Sequence, residues 1–289
     1  MEITITEGVS HDPAQEHIEE VRQGKRFEFG KNWSKFLNHL SEEQIITAEG
    51  SLRSMLELPD LAGMRFLDAG SGSGLFSLAA RRMGANVHSF DYDPQSVACT
   101  KELRRRYSVN DSQWRIEQQS VLDRGYMSSL GPFDVVYSWG VLHHTGAMWQ
   151  ALEEVHRPVA KGGLLFIAIY NDTGTQSARW RRIKQIYNTL PRPLRIPYSF
   201  AIALPFEIKA MLRSLASGDP SGYIKRWTEK RDRGMSHWHD VVDWIGGYPY
   251  EVAKAEEIFE FYKVRGFALR RLKCANGLGC NEFVFKKEI

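Results

Sequence analysis

Two acids and three glycines in this chain are spaced as a ribose-bearing ligand needs them. Asp68 closes an apolar run, and Gly70, Gly72 and Gly74 follow at every second position. Glycine accepts positive φ and lets a ligand come close to the main chain. The amphipathic run Leu75 to Met83 comes next. It predicts a helix whose free N–H groups and positive dipole end face the turn. Asp91 stands 23 positions beyond Asp68, again at the end of an apolar run. A carboxylate there can accept both hydroxyls of a ribose diol. The dinucleotide fingerprint G-x-G-x-x-G is not met, because Leu75 occupies the place of its third glycine.

Proton acceptors are the second requirement, and histidine is the usual base near neutral pH. His143 and His144 follow the apolar run Phe133 to Ser138. His237, His239, Asp240 and Asp243 share the stretch Gly234 to Tyr250 with Trp238, Trp244, Tyr248 and Tyr250. A zinc site from His237, His239 and Asp240 lacks a helix-spaced histidine pair and a fourth ligand. Asn171-Asp172 lacks a partner acid after Ser138. No metal is expected.

These residues need strands to hold them. Met64 to Asp68, Ala85 to Asp91, Trp114 to Gln119, Phe133 to Ser138 and Gly162 to Tyr170 read as strands, with helices between most of them. Asp93-Pro94 predicts an N-cap followed by proline in the first helical position. Ser41 with Gln44 predicts a capping box. A late helix, Ala255 to Tyr262, precedes a hairpin over 267–274 and 281–287. Between strand five and that helix lies an insertion too long for a structureless loop. Helices are expected in it over 178–190, 198–215 and 223–233, punctuated by Pro191, Pro193, Pro197 and Pro205.

The pattern D-x-G-x-G-x-G at Asp68–Gly74 resembles motif I of the class I S-adenosylmethionine-dependent methyltransferases. Asp91-Tyr92-Asp93-Pro94 is similar to the family's acid motif, and Phe133–Ser138 followed by Val141-Leu142-His143-His144 is similar to its small-molecule branch. That branch holds ubiquinone-type and sugar or natural-product O-methyltransferases. The resemblance implies an α/β fold, a seven-stranded, mostly parallel, doubly wound sheet with an antiparallel last strand. It implies a helical lid segment at 1–60, a cofactor-binding core at 61–171 and 252–289, and a helical substrate cap at 172–251. The implied cofactor is S-adenosyl-L-methionine. Its implied contacts are Asp68, Gly70, Gly72, Gly74, Asp91, Tyr92, Ser120, Val121, Ser138, Trp139 and, from the lid, Trp33. His144, His143, His239 and Asp240 are the candidate catalytic residues for methyl transfer to a hydroxyl or other nucleophile of a small or medium-sized molecule. An RNA or protein methyltransferase and a non-catalytic cofactor-binding module are the competing readings.

Composition bounds the rest. With 289 residues, 43% hydrophobic and 25% charged, the chain is an ordinary globular protein. A net charge of +3 makes no whole-chain case for nucleic acid. Three cysteines support no disulfide framework. Without a signal-like N-terminus or a long apolar run, a cytoplasmic location and no transmembrane segment are expected. From 172 to 250 there are 13 Lys and Arg against 7 Asp and Glu. That basic insertion reads as a solvated cap, as a site for an anionic acceptor, or as an RNA or membrane surface, the first two being favoured. Tyr198 to Phe206 is apolar enough for a lipid-like acceptor or an interface.

Overall fold

The computed structural model describes residues 13–107, 112–219, 221, 223–224, 227 and 237–288, with backbone alone at 237–240 and 243. Its strands are β1 (Arg65–Ala69), β2 (Asn86–Asp91), β3 (Trp114–Gln118), β4 (Phe133–Trp139), β5 (Val159–Tyr170), β6 (Phe267–Lys273) and β7 (Cys280–Lys287). They form one sheet in the order β3-β2-β1-β4-β5-β7-β6. β1 to β5 are parallel, and β7 runs antiparallel between β5 and β6. The sheet is therefore mixed, with both of its antiparallel pairs made by β7. Strand order reverses between β1 and β4, and ligands of such sheets bind in the crevice outside the carboxyl ends at that point.

Helices cover both faces. In chain order they are α1 (Pro13–Arg22), α2 (Phe29–Leu37), α3 (Glu42–Leu56), α4 (Leu75–Arg82), α5 (Pro94–Tyr107), α6 (Arg124–Ser129), α7 (Met148–Val155), α8 (Thr175–Thr189), α9 (Arg192–Ala216), α10 (His237–Gly246) and α11 (Ala255–Lys263). Ile45, Leu52, Leu78, Ala79, Cys99 and Leu103 of α3, α4 and α5 bury against Phe66 and Tyr137 on one face. Ala151, Leu152, Ile258 and Tyr262 of α7 and α11 bury against Leu67, Val136 and Phe283 on the other. The capping box forms, the Ser41 N–H donating to Gln44 Oε1 at 2.7 Å. Asp93 caps α5, its Oδ1 accepting the Gln95 N–H at 2.8 Å.

The insertion leaves the sheet after β5 and returns beside its own starting point. The Ala253 N–H donates to Tyr170 O at 3.0 Å, and the Asp172 N–H donates to Ala253 O at 3.1 Å. Its buried side chains Trp180, Tyr187, Ile245 and Tyr250 make a third cluster, which also holds Phe27 from the N-terminal segment. Gly246 permits that contact: a Cβ there would lie 2.2 Å from the Phe27 ring. α9 differs from expectation at its start: it begins at Arg192 rather than at 198, so that Pro197 as well as Pro205 sits inside it. Each proline removes one N–H, but the carbonyls so freed belong to Pro193 and Ala201, both exposed residues where water takes over the bond. The helix expected over 223–233 lies largely outside the described residues.

Candidate active site

The glycine turn joins β1 to α4, with φ of +87° at Gly70, +55° at Gly72 and +82° at Gly74. At Gly70 space is as decisive as φ, because a Cβ would stand 2.4 Å from Val141 Cγ1. The loop after β4 can therefore close directly on the turn. Ser138 helps to fix it, donating through Oγ to Ala69 O at 2.8 Å. Trp139 packs, partly buried, against the core.

Asp91 ties the end of β2 to the turn. Its Oδ2 accepts the Gly72 N–H at 2.8 Å and its Oδ1 accepts the Asp93 N–H at 2.9 Å. Asp68 points instead into the fold. It accepts from Ser77 Oγ of α4, Ser77 is 2.6 Å from Ser89 Oγ, and the Trp114 indole N–H donates to Ser89 Oγ at 2.8 Å. This buried polar line joins β1, α4, β2 and β3, and it gives Asp68 a share in holding the turn. Burial, with the Asp91 charge adding to it, raises the Asp68 carboxyl to about 7 against the Ser77 hydrogen bond. Burial and then the neighbouring Asp93 raise the Asp91 carboxyl to about 7.

The N-terminal segment lies across these strand ends. Gly30 at the start of α2 donates its N–H to Asp93 Oδ2 at 2.7 Å. The Trp33 indole reaches the turn, its Nε1 3.1 Å from where a Cβ on Gly72 would be. Arg26 bridges two halves of the site. It donates to His144 O at 2.8 Å and stands 4.9 Å from the Tyr92 ring centroid. His17 meets the same ring edge-on at 5.4 Å. Tyr92 thus lies beneath the N-terminal segment at the end of β2. Beyond β3, Ser120 Oγ accepts the Leu122 N–H at 3.1 Å and Val121 is buried in the core.

His143 and His144 form a short 3-10 turn after β4. His143 is fully enclosed, and its Nδ1 accepts the Tyr170 N–H at 3.3 Å. Burial, then the nearby His144 and Lys184, push its pKa well below the usual histidine value. His144 has the complementary arrangement. Its Nδ1 lies 2.5 Å from Pro249 O, which can only accept, so Nδ1 carries the proton and Nε2 keeps the lone pair. Burial lowers His144 to about 3 against that hydrogen bond, so the ring is neutral at pH 7. The pair is clamped from the insertion side. The Glu251 N–H donates to His143 O at 3.0 Å, and the Glu251 carboxylate accepts the Met148 N–H at 3.1 Å, capping α7. His239 and Asp240 lie on the backbone of α10, and their side chains fall outside the described residues.

Four contributors carry no motif of their own: Arg26, Ser77, Lys184 and Glu251. Lys184 is fully buried in α8, donates to Trp244 O, and lies 4.6 and 4.9 Å from the Trp244 and Tyr250 ring centroids. Its place was legible in part, since Trp180, Lys184 and Tyr187 share one helical face. Arg26, Ser77 and Glu251 act on partners distant in sequence, and nothing local marks them. Asn171, considered above for a metal, is spent on the hairpin through Gly277 O and Asn281.

A methyltransferase-domain family model matches residues 67–165, the stretch from β1 into β5. The ubiquinone biosynthesis O-methyltransferase of Xanthomonas oryzae pv. oryzae is 34% identical over 115 residues, covering 39% of this chain and 46% of that protein. The ribosomal protein L11 methyltransferase of Methylococcus capsulatus is 46% identical over 66 residues, 22% of each chain. The matched stretch thus spans less than half the length of either relative. Magnesium protoporphyrin IX methyltransferase from Synechocystis PCC 6803, solved with bound S-adenosylmethionine, superposes with a TM-score of 0.51 at 10% identity, over 97% of this chain and 100% of that one. At that identity the likeness is one of fold. Among the described residues, no helix is long and apolar enough to cross a membrane. Residues 67–165, which hold the turn at Gly70–Gly74, are thus similar to a methyltransferase domain, and the sheet shares its fold with a methyltransferase solved with S-adenosylmethionine.

Proposed function

We propose that the protein transfers the methyl group of S-adenosylmethionine to an oxygen of a small or medium-sized acceptor. The observation that carries this reading is His144, held neutral with its Nδ1 proton on Pro249 O and its Nε2 lone pair free to accept. The residues at the strand ends fit the cofactor. Asp91 is placed for a ribose diol, Tyr92 for the adenine side, and the main chain of Gly70–Gly74 for the methionine end, under Trp33. The bound cofactor supplies a methyl group already made electrophilic by its sulfonium. The chain then has two tasks, to align the acceptor oxygen and to take its proton. His144 Nε2 receives the hydroxyl hydrogen, while Pro249 O stabilises the imidazole as positive charge develops. A base of such low pKa suits an acidic hydroxyl, a phenol or an enol, better than an alkyl alcohol. His143, enclosed and bonded to Tyr170, positions His144 and the end of β5. The Tyr170 ring meets that of His144 at 5.4 Å and is itself packed by Trp244 and Tyr250.

Methyl-labelled S-adenosylmethionine, incubated with the protein and a set of simple phenols, is expected to pass label into solvent-extractable ethers. Label confined to added RNA or protein would overturn the small-acceptor reading. The ribose assignment has its own signature. Diol hydroxyls donate to a carboxylate, so binding favours ionised Asp91 and lowers its pKa from about 7. Affinity for S-adenosylhomocysteine should therefore rise with pH and level off above about 7. On the acid side of that value binding should release a proton. Calorimetry in two buffers of different ionisation enthalpy reads that release, and a buffer-independent enthalpy on the acid side would refute it.

A further inference from the structure

Helix α9 carries an exposed apolar stripe. Ile196, Phe200, Leu204, Ile208, Leu212 and Leu215 recur at intervals of three and four and are each between 43% and 60% exposed. The opposite side holds the helix to the protein through buried Ser199 and Ala203. Single exposed apolar side chains are normal, but a contiguous stripe about 29 Å long marks an interaction surface. The charges of α9 lie off the stripe, and they are one-sided: Arg192, Lys209 and Arg213 against Glu207 alone, with Arg195 turned inward onto Asn188 O and Leu190 O. Neighbouring α8 adds exposed Arg179, Arg181 and Arg182.

Charge selects the occupant. A second copy laid on this face by a two-fold axis would bring cations against cations. An anionic lipid surface instead accepts the stripe and the flanking cations together. The helix is not built to span. Its longest uncharged run, Ile196 to Phe206, is 11 residues, where a crossing needs about 20. We propose that α9 lies in the plane of an anionic bilayer, its stripe at the headgroup–acyl boundary and Arg192, Lys209 and Arg213 on lipid phosphates. This departs from the expectation that the basic insertion is a solvated cap or an anionic-acceptor site. Inward from α9, ring contacts run from Phe206 to Trp180 at 6.0 Å, to Trp244 at 5.4 Å, to Tyr170 at 5.6 Å and to His143 at 3.9 Å. The membrane-facing helix is thus joined to the histidine pair by an aromatic line. If the methyl-transfer reading holds, a bilayer-dissolved phenol is the acceptor class this placement serves. The membrane seat itself does not rest on that reading.

The test is flotation of the full chain with phosphatidylcholine vesicles, with and without phosphatidylglycerol. Binding is expected only with the anionic lipid and should weaken as salt rises. Leu204→Glu with Ile208→Glu should reduce partitioning at least tenfold while S-adenosylhomocysteine affinity and the circular dichroism spectrum stay unchanged. Lys209→Gln and Arg213→Gln should each reduce it about fivefold, which keeps the test informative should the glutamate variant misfold. Three results would overturn the proposal. They are no binding to either vesicle, binding indifferent to both sets of substitutions, or a dimer in light scattering that the glutamate variant converts to monomer.

Discussion

Asp91→Ala should weaken S-adenosylmethionine binding by about 100-fold, the loss of two hydrogen bonds to a charged acceptor. The position matters because of what else the carboxylate does. It accepts the Gly72 and Asp93 N–H groups, so it organises the turn before any ligand arrives. The alanine variant therefore loses both the ribose contact and part of the preformed turn. Asp91→Asn separates them. Its amide keeps one acceptor for the main chain but cannot serve a diol and two backbone donors together, so an intermediate loss is expected. The asparagine variant should also bind S-adenosylhomocysteine without the proton release described above. Calorimetry reads both effects, and wild-type affinity in the alanine variant would remove the assignment.

His144→Asn should lower kcat by roughly a hundredfold to ten-thousandfold, the usual range for removing a positioned general base. Asparagine suits this test because its side-chain amide can still donate to Pro249 O, as Nδ1 does now. What it lacks is the lone pair on Nε2. Cofactor affinity should stay near wild type, since no contact of His144 reaches Asp91 or the glycine turn. Single-turnover rates with labelled cofactor separate chemistry from binding. A variant as fast as wild type would show that His144 only packs against Phe29 and Tyr170, whose rings lie 4.8 and 5.4 Å from it.

What the sequence disclosed follows the range of the forces involved. Asp68, Gly70, Gly72, Gly74 and Asp91 were legible because a strand end, a turn and a helix start are local events with their own residue preferences. The direction of Asp68 was not legible, because its partner line through Ser77, Ser89 and Trp114 is assembled only when three strands and a helix meet. Arg26 escaped for the same reason, its acceptor lying 118 positions away. The difference between His143 and His144 was equally hidden. It depends on which backbone group each ring meets, Tyr170 N–H or Pro249 O, and those groups sit on β5 and on the far end of the insertion. Pro197 of α9 misled for a different reason. Local rules assume that a freed carbonyl is costly, and on an exposed helix face water removes that cost.

The two ends of the insertion are hydrogen-bonded to each other, at Tyr170, Asp172 and Ala253. The sheet therefore closes beneath it almost as it would over a short loop, and lengthening a loop whose ends already meet adds little closure entropy. Evolution can then exchange the whole segment as a cassette without disturbing strand register or the cofactor half. The methyltransferase-domain match, over residues 67–165, lies wholly on the near side of that segment. A different segment grafted between Tyr170 and Ala253 should accordingly leave the sheet intact.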